Sequence, residues 1–473
     1  MNTKRIFFVL ALCAMCGVAR AQEVMTLEKC RERALANNKA GAIAALNKDK
    51  ALYTKRAYRA NYFPKFSASG SYLYTNMRLT QRIPEAYLPT FVPDPATGGL
   101  KPNVFVVPGI GAIIGADGIP IFNEYAYFPG MDFSLKLSNF WMAGVSAEQP
   151  IYMGGKITAA YKMAQAGDEI AALSQQLARA EIIVKTDEAY WTYVQTNELV
   201  KLALSYRKTL DELMRNVQAA ESVGLKHRND VLKVQVKMNE AELQLRQAEN
   251  GKRLARKNLC HVMGVSADSA VVLPESFENE GLTVDTAQAP SYSSRPEYAM
   301  LEKQVRLKEQ ETKLVRSDFL PRVGVRASYG YMDGVTLNNA KLFDRASFSA
   351  LASVSIPLFQ WGEGRNKIRA AKAERNAAQL QRDNISEQMA LELARASDKC
   401  DESALEVELT ARSLEQAEEN AKVSGLQYEG GMEPLSAYLE SQTVWQRARM
   451  EYVNALTRQR LNQTYYLKAA GML

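Results

Sequence analysis

Apolar positions recur at steps of three and four over long stretches of this chain. Ile170, Leu173, Leu177, Ala180, Val184, Trp191 and Val194 form one such series. That spacing aligns side chains along one stripe of a helix and, when sustained, along a coiled-coil seam. The same stretches are rich in Ala, Leu, Gln, Glu, Lys and Arg, the strong helix formers. Proline, which breaks a helix interior, is missing from 22–63, 151–273 and 358–433 and does not recur after Pro434. The pattern predicts helices over about 26–60, 156–222, 228–264, 296–317, 363–424 and 434–468. At 1.5 Å per residue a helix over 156–222 would be roughly 100 Å long.

Between the helices the period changes to two. In 66–75 the even positions are Phe66, Ala68, Gly70, Tyr72 and Tyr74, against Ser67, Ser69 and Ser71. In 133–147, Phe133, Leu135, Leu137, Trp141, Val145 and Ala147 share a face, with Phe140 and Met142 as exceptions on the other. In 322–331, Val323, Val325, Ala327, Tyr329 and Tyr331 oppose Arg322, Arg326 and Ser328. In 346–356, Ala346, Phe348, Ala350, Ala352, Val354 and Ile356 alternate with serines. Each run reaches about ten residues, the length of a tilted membrane strand. One apolar and one small-polar or basic face fit a barrel with lipid outside and water inside; the competing reading is a soluble sandwich. Four strands are too few to close a barrel, and lipid does not tolerate open sheet edges. The chain must therefore oligomerise, with 8 strands in a dimer or 12 in a trimer, and the arithmetic does not choose.

The sequence also repeats itself. An offset of 207 carries Pro150 onto Pro357, Gly155 onto Gly362, Leu232 onto Leu439, Gln235 onto Gln442 and Gly264 onto Gly471. Earlier residues need an offset of 257, which carries Pro64 onto Pro321 and Tyr72 onto Tyr329. The difference is a 50-residue insertion between the two strands of the first unit. Eight of the 16 prolines fall in 84–129, with six glycines and little charge, which reads as an extended loop. The first unit is placed at 22–264, with its long loop at 79–132, a linker at 265–294 and the second unit at 295–473.

Composition narrows the class. Lys4 and Arg5, an apolar run from Ile6 to Val18, and Ala19-Arg20-Ala21 read as a secretory signal peptide over 1–21. Removing its three basic residues takes the net charge from +7 to +4, without the clustered basic face of a nucleic-acid binder. Three cysteines remain, Cys30, Cys260 and Cys400, too few for a disulfide scaffold. No later stretch has the roughly 20 apolar residues of a membrane helix. His261 beside Cys260 lacks the further ligands zinc needs, and Gly154-Gly155-Lys156 lacks the rest of a phosphate loop. Catalytic residues, metal sites and cofactors are expected to be absent.

In this order the motifs resemble the TolC-like outer-membrane efflux proteins. The resemblance rests on Phe63-Pro64 and Leu320-Pro321 at strand starts, and on Gln149-Pro150-Ile151-Tyr152 and Ile356-Pro357-Leu358-Phe359 at strand ends. It also rests on Arg295-Pro296-Glu297, and on Gly224-Leu225 and Gly431-Met432 at helix turns. It covers 25–471. It implies a mainly α fold with membrane β: a homotrimer whose 12-stranded outer-membrane barrel continues into a long α-helical periplasmic tunnel. It makes 265–294 a periplasmic linker and implies docking to a periplasmic adaptor fed by an inner-membrane pump. The expected function is a passive exit duct of a tripartite efflux or type I secretion system. A periplasmic coiled-coil adaptor or scaffold is the alternative.

Val223, Gly224 and Leu225, and Gly430, Gly431 and Met432, are the expected adaptor-docking tips, where glycine accepts the left-handed conformation that ends a helix. Asp230, Glu433 and Glu440 are the expected acidic constriction at the periplasmic mouth. The resemblance places an acid at Glu440 but finds Ala437 at a second acidic position.

Overall fold

The computed structural model describes residues 24–274, 291–343 and 345–473. The signal-peptide reading and much of the linker lie outside them. In chain order the elements begin with α1 (Leu27–Asn37) and α2 (Lys39–Ala60). The strands β1 (Lys65–Ile83), β2 (Ala86–Pro89), β3 (Phe91–Pro93), β4 (Leu100–Pro102), β5 (Val106–Val107), β6 (Gly111–Ala112), β7 (Tyr125–Phe128) and β8 (Met131–Met153) follow. Next come α3 (Lys156–Ser222), α4 (Arg228–Val262) and α5 (Pro296–Ser317). Then come β9 (Arg322–Leu337), β10 (Ala340–Lys341), β11 (Ser347–Ser355), α6 (Glu363–Glu429) and α7 (Leu435–Ala469). Two compact units result, one built from the helices and one from residues 60–155 and 319–360. Each therefore draws on both halves of the sequence repeat.

In the helical unit α3 and α4 form one antiparallel hairpin and α6 and α7 another, as turns of five residues require. The offset of 207 carries the 67 residues of α3 onto the 67 of α6, and the 35 of α4 onto the 35 of α7. Burial in α3 is densest at 180–194, where Tyr190, Trp191 and Val194 join Cys30 of α1 and Leu259 and Cys260 of α4 in one core. Asp187, also fully buried there, is paired with Arg31 and accepts a hydrogen bond from Thr464 at 2.7 Å.

The helix expected over 26–60 is two helices. Asn38 leaves the helical region at ψ 129°. Its Oδ1 accepts the Ala40 N–H at 2.8 Å and its Nδ2 donates to the Val262 carbonyl at 2.8 Å. The side chain thus caps α2 and satisfies the end of α4, and that local bonding competes with a continuous helix. The break makes α2 the counterpart of α5: both have 22 residues, and the offset of 257 matches them end to end. The helix expected over 363–424 continues to Glu429.

The second unit holds an antiparallel sheet in the order β1, β8, β9, β11, with β10 also on β9. Its strands β1, β8 and β9 run beyond the ten-residue segments expected, to 19, 23 and 16 residues. The stretch read as an extended loop is not structureless. It carries three small ladders, β2 with β7, β3 with β4 and β5 with β6, nested on the β1–β8 hairpin.

Candidate functional site: the helical turns and the sheet faces

Each helical turn closes with one hydrogen-bond scheme. The Leu225 N–H donates to the Ala220 carbonyl at 2.8 Å and the Gly224 N–H to Glu221 at 2.9 Å. At the second turn the Met432 N–H donates to Gln427 at 2.8 Å and the Gly431 N–H to Tyr428 at 3.1 Å. These are Schellman motifs, related bond for bond by the 207 offset. The left-handed residues are Gly224 at φ +80° and Gly431 at φ +73°, whereas Gly430 is helical. Val223, Leu225 and Met432 are 69%, 77% and 77% exposed, so both turns present bare apolar side chains.

The three acids proposed for a constriction differ. Asp230 is half-buried and lies 3.3 Å from Lys233 Nζ. Glu433 accepts a hydrogen bond from the Ser424 hydroxyl of α6. Glu440 is exposed on α7. If these acids line a mouth, Glu440→Ala is expected to reduce cation selectivity in planar bilayers more than Asp230→Ala, whose charge is already offset. Unchanged selectivity in both variants would remove the constriction.

Residues outside the expected set join the two turns. Lys226 Nζ sits 4.7 Å from the Tyr428 ring centroid, and Tyr428 stacks on Tyr438 at 5.4 Å and 4°. Burial pushes both phenols above their usual range, with Asp230 adding to the effect on Tyr428 and Glu429 to that on Tyr438. Beneath them Leu210, Val217, Val234, Leu435 and Leu439 form a shared core. The one available sequence signal was departure from the repeat: Lys226 corresponds to Glu433, and Tyr428 to Glu221.

The strand register assigns the sheet faces. Directly opposed residues share a face. Ala68, Val145, Tyr329 and Phe348 therefore form one row, and Tyr72 faces Trp141, whose ring lies 5.2 Å from that of Tyr331. On the other face Ser67, Ser146, Ser328 and Ser349 run across all four strands, with hydroxyl contacts of 2.9 Å and 2.7 Å. Met142 opposes Ser71 and Met332 on this serine face, as its place in the alternation implies. A bulge gives β1 one surplus residue between Leu73 and Asn76. Beyond it Met77 and Leu79 oppose Leu137 and Leu135, so the apolar face continues.

The sequence profile described as outer membrane efflux protein matches residues 30–265 and 287–471. Alkaline protease secretion protein AprF of Pseudomonas aeruginosa is 26% identical over 231 residues, 47% of each chain. Outer membrane protein OprJ of the same organism is 24% identical over 307 residues, 62% of each chain. The chain thus spans about half to three fifths of these two relatives. The Campylobacter jejuni CmeC outer membrane channel has the same fold, with a TM-score of 0.70 at 17% identity over 94% of this chain and 85% of that one. With the profile covering most of both repeats, the chain belongs to the outer membrane efflux protein family.

Proposed function

We propose that three copies of this chain form a passive exit duct across the outer membrane, loaded from the periplasm by an adaptor and an inner-membrane pump. The observation that carries this is the sheet: one face apolar across four strands, the other lined with serine, and β1 and β11 left as edges. A membrane sheet has to close, and the two edges are different strands. Pairing β1 of one copy with β11 of the next is a head-to-tail contact, which generates a ring. The helices support the same rule. α4 exposes Leu232, Val236, Leu243 and Leu254 at steps of four, seven and eleven, and α6 exposes Leu380, Leu391, Leu405 and Leu409. These are two different uncovered stripes, one from each repeat. Three copies of four strands make the 12-stranded wall that leaves a lumen. The bare apolar turns are the docking points for the adaptor hairpins.

The duct serves small molecules or a secreted protein according to the pump behind it. Outer-membrane fractions should yield a species that runs as a trimer unheated and as a monomer after boiling. A monomer confined to the soluble periplasmic fraction would defeat this reading.

A further inference from the structure

The serine face also carries charge, and at most places the sheet balances it. Glu148 stands opposite both Lys65 and Arg326. Arg82 lies 3.8 Å from Asp132. One row is different. Arg78 of β1 is paired in register with Lys136 of β8, Lys136 with Thr336 of β9, and Thr336 with Lys341 of β10, which alone of the three cations has a carboxylate, Asp333 at 2.8 Å. Like charges directly opposite each other weaken a sheet. The rows on either side offer only Asn76 with Ser138 and Thr80 with Ser134. Among the described residues, no carboxylate lies within 4.0 Å of Arg78 or Lys136. The Arg78 side chain is exposed and that of Lys136 half-exposed.

The bulge decides which way this row faces. Met77, Leu79, Leu135 and Leu137 continue the apolar face beyond it, so Arg78 and Lys136 point to the serine side. They also lie past Tyr72, Trp141 and Tyr331, toward the insertion. In membrane barrels aromatic girdles flank the apolar band at the membrane–water boundaries.

We propose that Arg78 and Lys136 form an anion-attracting band inside the outer mouth, which takes up anionic groups on solutes leaving the duct. This rests on the trimeric duct reading, which would place three such pairs around one lumen. Unbalanced cations in a confined opening raise the local concentration of anions. The cost of placing them side by side is offset whenever an anion bridges them.

The test uses full-length trimers in planar bilayers, with inorganic pyrophosphate added on the side of the outer loops. Pyrophosphate is expected to reduce the wild-type current, and less so in concentrated KCl because salt screens the interaction. R78Q/K136Q should need at least about tenfold more pyrophosphate for the same block, while R78K should keep the wild-type response. Equal pyrophosphate sensitivity in wild type and double variant, or no block of the wild type, overturns the band and leaves the duct intact. Trimers that form no channel at all defeat the duct reading instead. Should the double variant fail to assemble, R78Q and K136Q singly carry the same comparison.

Discussion

Val145→Arg is expected to abolish assembly in the outer membrane, while Ser146→Arg, one residue on, leaves the trimer in place. Val145 lies between Ala68 and Tyr329 on the apolar face, and Ser146 between Ser67 and Ser328 on the other. An arginine facing lipid near the bilayer midplane costs about 2–4 kcal/mol. In the proposed trimer three copies multiply that cost, whereas an arginine facing a watery lumen stays hydrated. Boiled and unboiled samples of outer-membrane fractions give the readout. Equal loss of the heat-sensitive trimer in both variants would mean that both faces are packed, as in a soluble sandwich.

The second large effect belongs to Gly264, which ends α4. It sits at φ +68°, and a Cβ there would lie 2.6 Å from the Asn37 carbonyl oxygen. Gly264→Ala combines a left-handed penalty with a backbone clash, together about 2–5 kcal/mol. Gly251 is the control. It lies inside α4, and its added Cβ would meet only Thr196 Cγ2 at 3.8 Å. Gly251→Ala should therefore be neutral or stabilise by up to about 1 kcal/mol. Thermal unfolding followed by helical circular dichroism separates the two, and similar melting points would refute the argument. Gly471 provides an internal replicate: its Cβ would lie 3.0 Å from Arg295 N and from the Ser294 backbone, where Ser294 corresponds to Asn37.

Helices were the most legible part of the sequence because their signals are local. Composition, proline placement and the three-four step give α3 its full 67 residues and start α6 at Glu363, ending it five residues short of Glu429. Asn38 escaped because no proline or glycine marks the break; its side chain acts through Val262, 224 residues away. The extent of β1 escaped because the alternation changes phase at the bulge after Leu73, so an unbroken period of two ends near Thr75 while the strand runs on to Ile83. The ladders in 84–129 escaped because turn residues hide pairings made by the backbone, as between Val92 and Lys101. At the turns the glycines were readable as helix ends. The stack of Lys226 on Tyr428 was not, since the partners are some 200 residues apart and have no counterpart in the other repeat.

The surplus residue in β1 works as a parity switch. Before it, even-numbered side chains lie on the apolar face; after it, odd-numbered ones do. Deleting Thr75 alone would remove the bulge and restore an unbroken alternation, with Met77 and Leu79 still opposite Leu137 and Leu135. Arg78 and Arg82 would stay on the serine face, opposite Lys136 and Asp132. One extra codon is thus absorbed without moving any side chain beyond it to the other face. Single-residue changes in length are therefore open to this strand wherever a bulge can take up the difference.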